Sequence, residues 1–198
     1  MAYDFNADPN ETNRFDPIPV GTYKLRIKIR DGGAGPDGML KLSKSLNLLM
    51  LSLELTVEEG EHKGRKIWEN INIELNEQQK GAVDREQWGK CEKAVRIGRS
   101  KLRDILNSAY GLRADDTSEE AQEKRRIESL QAFDGLTFYA RVGVRSGNGT
   151  FGDRNELREV LTLDNSLYPK EAKTTVPIEG DLNDEIPRFD RADQDPPF

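Results

Sequence analysis

The hydrophobic period of this chain changes twice along its length, from two to about 3.6 and back to two, and that succession limits the fold more than any other feature. Between Val20 and Arg30, Tyr23, Leu25, Ile27 and Ile29 alternate with Thr22, Lys24, Arg26, Lys28 and Arg30, the pattern of a strand with one apolar and one basic face. A turn-rich stretch, DGGAGPDG at 31–38, separates it from a second run in which Leu49, Leu51, Leu53, Leu55 and Val57 alternate with Met50, Ser52, Glu54, Thr56 and Glu58. A third run, 66–75, puts Ile67, Ile71 and Ile73 on one face and Trp68, Asn70 and Asn72 on the other. Trp68 is therefore expected to point away from the core.

From Asp84 the period lengthens, with Trp88, Cys91, Val95, Leu102, Ile105, Leu106 and Ala109 recurring at helical spacing. Asp84 and Gln87 fit a capping box, and Gly111 fits a helix stop. A shorter helix is expected over 118–130, opened by Ser118. Alternation returns at 136–145, where Leu136, Phe138, Ala140, Val142 and Val144 face inward and Thr137, Tyr139, Arg141 and Arg145 outward. A Gly-rich hairpin loop, SGNGTFGDRN, leads to a last strand over 156–163. Three strands, a helical excursion and two further strands are the chain order of an OB-fold. The expected architecture is thus mainly β: an OB-fold-like five-stranded barrel over 18–163 with a long helix inserted between its third and fourth strands. A flexible arm, 1–17, would precede it and a disordered acidic tail, 164–198, would follow.

Charge is segregated along the same boundaries. The net charge of -6 hides ends at -3 (1–17) and -5 (164–198), which leaves +2 on the residues between them. A low overall pI therefore does not argue against a polyanionic partner. One cysteine, Cys91, and one histidine, His62, allow neither an internal disulfide nor a zinc cluster, so no metal and no cofactor are expected. The start of the chain lacks the basic and apolar stretches of a signal peptide, and no apolar run is long enough to span a bilayer. The expectation is a protein of the cytoplasm, without membrane attachment.

The residues that suggest chemistry are the outward ones. Lys24, Arg26, Lys28 and Arg30 on the first strand, Trp68 on the third, and Tyr139, Arg141 and Arg145 on the fourth would interleave rings with cations. A binder of single-stranded DNA needs that mixture, because a single strand exposes both its base faces and its phosphates. Lys63, Arg65 and Lys66, at the entry to the third strand, would extend the array as a phosphate-contacting rim. The plainer reading of each charge is a solvated strand face. Lys41 and Lys44 are weaker candidates, and the helix bases Lys93, Arg96, Arg99, Lys101 and Arg103 read as a wet face only.

The last residues, DLNDEIPRFDRADQDPPF, offer acids, a ring and a carboxylate. Asp193, Asp195, Pro196, Pro197 and Phe198 suit a partner pocket with an apolar floor and a basic rim. DQDPPF is similar to the acidic C-terminal tip of bacterial single-stranded DNA-binding proteins, with Pro196 where Ile is usual. The body, from FDPIPVGTYKLRI through LELTVEEGEHKGRKIWENINI to NSAYGL, resembles a family of phage proteins encoded among replication and recombination genes. The likeness covers roughly residues 15–165 and includes the motif EGxxKGRxxW. That resemblance implies an OB-type core, single-stranded DNA as ligand, and a place in phage DNA replication or recombination within the bacterial host cell. The tip would recruit replication or recombination proteins, and self-association is left open.

Three other readings stand beside it: a structural or protein-interaction module of a phage particle, a mediator that anneals strands, and an enzyme. A nuclease would need clustered carboxylates to hold metal, whereas the acids here lie in the tail, in loops and on outer faces, so no catalytic residue is expected.

Overall fold

A computed structural model of the protein describes residues 16–169, apart from 36, 46 and 148–151. Its strands are β1 (Gly21–Ile29), β2 (Leu40–Leu42), β3 (Leu48–Val57), β4 (Lys66–Leu75), β5 (Thr137–Arg145) and β6 (Arg154–Val160). Two α-helices, α1 (Arg85–Ala109) and α2 (Glu119–Arg125), lie between β4 and β5. All six strands belong to one antiparallel sheet in which β3 is central. It pairs with β4 along one edge, and with β1 and the short β2 in succession along the other, while β5 and β6 follow beyond β1.

Alternation becomes burial along every long strand. Leu25 and Ile27 of β1, Leu51, Leu53, Leu55 and Val57 of β3, Ile67, Ile71 and Ile73 of β4, and Phe138, Ala140 and Val142 of β5 form one apolar cluster, with Leu157 of β6. Shifts of register at Leu49/Met50 and Arg141/Val142 bend the sheet over this cluster. Helix α1 contributes Leu102, Ile105 and Leu106 to the same core. Its first turn is capped by Asp84, whose carboxylate accepts from Gln87 N at 2.7 Å, and the chain leaves it through Gly111 at φ 63°, a conformation that favours glycine.

Closure differs from the expected five-stranded barrel. The two ends of the bent sheet, β4 and β6, come into contact, yet among the described residues no ladder joins them. The physical reason is that α1 takes the outer edge of β4. Arg99 Nε donates to Ile73 O at 2.8 Å, Lys101 pairs with Glu69 at 2.8 Å, and Gly98 lies so close to the Asn72 carbonyl that a Cβ there would sit 1.8 Å from its oxygen. An edge covered by a helix in this way is satisfied without a strand. Arg99 and Lys101, read from sequence as wet-face charges, are thus edge-capping residues, and Arg103 reaches Ala114 O at 3.3 Å.

Other boundaries also move. The sixth strand, β2, is three residues long and was hidden behind the turn-rich loop. Helix α2 stops at Arg125 instead of running to 130, because Ile127, Leu130 and Phe133 pack on the core through a 3-10 turn (Leu130–Phe133). Ser118 does cap its start, accepting from Ala121 N at 3.2 Å. Arg125 then clasps three groups, donating to Asn107 Oδ1, Asp116 O and Arg113 O. The last strand begins and ends earlier than 156–163, and the packed chain continues beyond it. Asp164 accepts from Thr162 Oγ1 and Ala114 N, and Tyr168 is buried with its hydroxyl donating to Ser108 O at 2.9 Å. Residues 164–169, expected to belong to the tail, are therefore part of the packed chain. The expected arm lies almost wholly outside the described residues, as does the rest of the tail. Among the described residues no helix is long and apolar enough to cross a membrane.

Candidate nucleic-acid interface

Strand register sorts the outward side chains into rows. Thr22 lies opposite Arg141, and Lys24 opposite Tyr139. Arg26 lies between Thr137 and Thr56, with Lys66 beyond Thr56. Lys28, Glu54 and Trp68 form one continuous row across β1, β3 and β4, and Ser52 faces Asn70 in the next. Side chains directly opposite each other across strands lie about 5 Å apart at Cβ. The result is a single wall on the face of the sheet opposite the core.

Trp68 stands on this wall 57% exposed, an unusual state for so large an apolar surface. Tyr139 is half-buried. Its ring meets Tyr168 edge-on at 5.3 Å, and Lys24 Nζ lies 5.9 Å from its centroid. Tyr168 was missed as a wall residue because it was assigned to the tail, where no periodicity points to it. Trp68 and Tyr139 are three interstrand spacings apart, roughly 14 Å across the sheet, and four residues apart along it. They share the wall without touching.

The cations divide into paired and unpaired. Arg26 pairs with Glu58 at 2.9 Å and Lys66 with Glu54 at 2.8 Å. Arg65 donates to the Asp16 carbonyl and so anchors the entry to the domain. Among the described residues, Lys28, Arg30, Arg141, Arg145 and Lys63 make no ion pair, and all five are exposed. Arg145 lies opposite Arg154, a like-charge pair at the β5–β6 hairpin that concentrates positive potential there. Lys41 and Lys44 are also exposed, with Lys41 opposite Met50 at the far end of β3.

Acids interrupt the wall: Glu54 and Glu58 beside β1, and Glu159, directly opposite Arg141 on β6. Glu58 is taken by Arg26. The Lys66 hydrogen bond, helped by the charges of Lys66, Lys28 and Arg30, holds the Glu54 carboxyl below its ordinary range, so it stays ionised. Alternation already put Glu54 outward, but only the register places it between Lys28 and Trp68.

A larger concavity than any on the wall lies elsewhere, between α1 and β6. This groove of about 710 Å³ is lined by Ile97, Lys101, Asp104, Arg158, Glu159 and Asp164, among others. Lys101 and Arg158 are paired with Glu69 and Glu156, which leaves the carboxylates to set its character and makes it poorly suited to phosphates. Burial pushes the Asp104 carboxyl up. A smaller cleft of about 280 Å³ opens beside Lys24 and Tyr139, bounded by Thr22, Tyr23, Glu61 and Pro169. Among the described residues no group of three or more His, Cys, Asp or Glu is placed to hold a metal ion.

The tip residues Asp193, Asp195, Pro196, Pro197 and Phe198 lie outside the described residues. In comparisons with known proteins, no family model and no curated protein matches the chain.

Proposed function

We propose that this protein binds single-stranded DNA with little dependence on sequence, laying the strand across the outer wall of the sheet. One observation carries the reading: an exposed tryptophan shares a strand face with exposed lysine and arginine side chains that make no ion pair among the described residues. Duplex DNA hides its base faces in the stack, so an open ring favours a single strand, to which it offers stacking while the cations take phosphates. The strand order supports an OB-type framework. The five long strands run in OB order, with the helices between the third and fourth, and the contact of β4 with β6 is where such a partly open barrel would close. The activity belongs to phage DNA replication or recombination in the cytoplasm of the bacterial host, and the acidic tip recruits a protein partner. No bond is made or broken by it.

The test is a titration with oligo(dT) at 50 and 200 mM salt, followed by tryptophan emission. Emission should be quenched through Trp68. With about five phosphate contacts, counterion release should weaken binding roughly 100-fold over that fourfold rise in salt. Binding that is absent at tens of micromolar in low salt, or indifferent to salt, would remove the proposal.

A further inference from the structure

We infer that Glu54 reads one base of the bound strand and favours guanine at that position; the inference rests on the single-stranded DNA reading above. A carboxylate in the middle of a phosphate-binding wall is at first sight a fault, since it repels the backbone that its neighbours attract. Its surroundings give it a different use. Glu54 lies directly opposite Trp68 on β4, so a base stacked on that ring brings its hydrogen-bonding edge toward β3. Lys66 Nζ holds Oε1 at 2.8 Å, and Lys28 flanks the group from β1. These cations keep the carboxylate charged and fixed, with only 16% of the side chain exposed. No other hydrogen bond to it is present among the described residues, and each carboxylate oxygen has two acceptor sites, so accepting capacity is left for a ligand.

A carboxylate that accepts only is selective among bases. Guanine alone presents two adjacent donors, N1–H and the N2 amine, on its Watson–Crick edge. Thymine presents one N–H between two carbonyl oxygens that would face the charge. The neighbouring row is consistent with a polar reading edge: Ser52 Oγ donates to Asn70 Oδ1 at 2.6 Å, which fixes the Asn70 amide with its NH₂ still able to donate. A single favoured position leaves the rest of the strand free in sequence.

The experiment compares (dT)9, (dTdTdG)3 and (dTdTdI)3, the last with hypoxanthine, which keeps N1–H and lacks the N2 amine. The full-length protein and Glu54→Gln are each titrated with all three. The wild-type protein should bind (dTdTdG)3 about fivefold more tightly than either other oligomer, the low end expected of a bidentate base contact. Glu54→Gln should lose that preference and bind the three oligomers with affinities within about twofold of one another. Equal wild-type affinity for the three, or a guanine preference that survives in Glu54→Gln and so reflects purine stacking, would overturn the inference with DNA binding intact. Failure to bind any of the three would overturn the DNA-binding reading itself, and this inference with it.

Discussion

Gly98→Ala is expected to destabilise the protein by more than about 3 kcal/mol, beyond the usual cost of overpacking, although alanine is the better helix former by about 1 kcal/mol. The added Cβ would lie 1.8 Å from Asn72 O, a backbone atom held in the β3–β4 ladder, so neither partner can turn aside. The helix would have to lift from the edge of β4, breaking the bonds of Arg99 to Ile73 O and Lys101 to Glu69 and unseating Leu102 and Ile105. For a domain of this size the melting temperature should fall by about 10 °C. Gly89 is the internal control. It lies on the same helix with nothing within 4 Å of its would-be Cβ, so Gly89→Ala should be neutral or mildly stabilising. Thermal melts of the two variants decide the matter, and a Gly98→Ala protein as stable as the wild type would mean that α1 does not lie on β4.

Trp68→Ala carries the second large effect, on binding instead of stability. Stacking of one base is worth about 1–3 kcal/mol, so oligo(dT) affinity should drop about tenfold or more. The ring is exposed and opposite Glu54, outside the core cluster, so the melting temperature should hardly move. Most of the quenching should vanish too, because the remaining Trp88 is buried at 8% exposure. Unchanged affinity would deny Trp68 a place in the interface, and a collapsed melting temperature would give it a structural one.

These two positions differ in how far the sequence reveals them. The outward direction of Trp68 is local information, set by Ile67 before it and Ile71 and Ile73 after it, and period-two parity suffices to read it. The span of α1 is legible for the same reason, since Asp84 and Gly111 mark its ends within a few residues of chain. Gly98 looks like an ordinary helix interruption until β4 is placed against it. Register is similarly invisible: nothing near Lys28, Glu54 or Trp68 in the sequence says that they form one row, because that depends on pairing between segments far apart. Strand β2 is too short to show a period. Tyr168 sits among turn and tail residues, so its packing against Tyr139 could not be read from any pattern. What sequence alone recovers is which side chains share a face; which of them are neighbours comes from the fold.

The most direct test of the account is amide and indole NMR mapping of the isotopically labelled protein on addition of oligo(dT). Shifts should concentrate on Lys24, Lys28, Arg30, Tyr139, Arg141 and the Trp68 indole, leaving the α1–β6 groove around Ile97 and Asp104 quiet. Perturbations confined to that groove, with the wall unmoved, would contradict it.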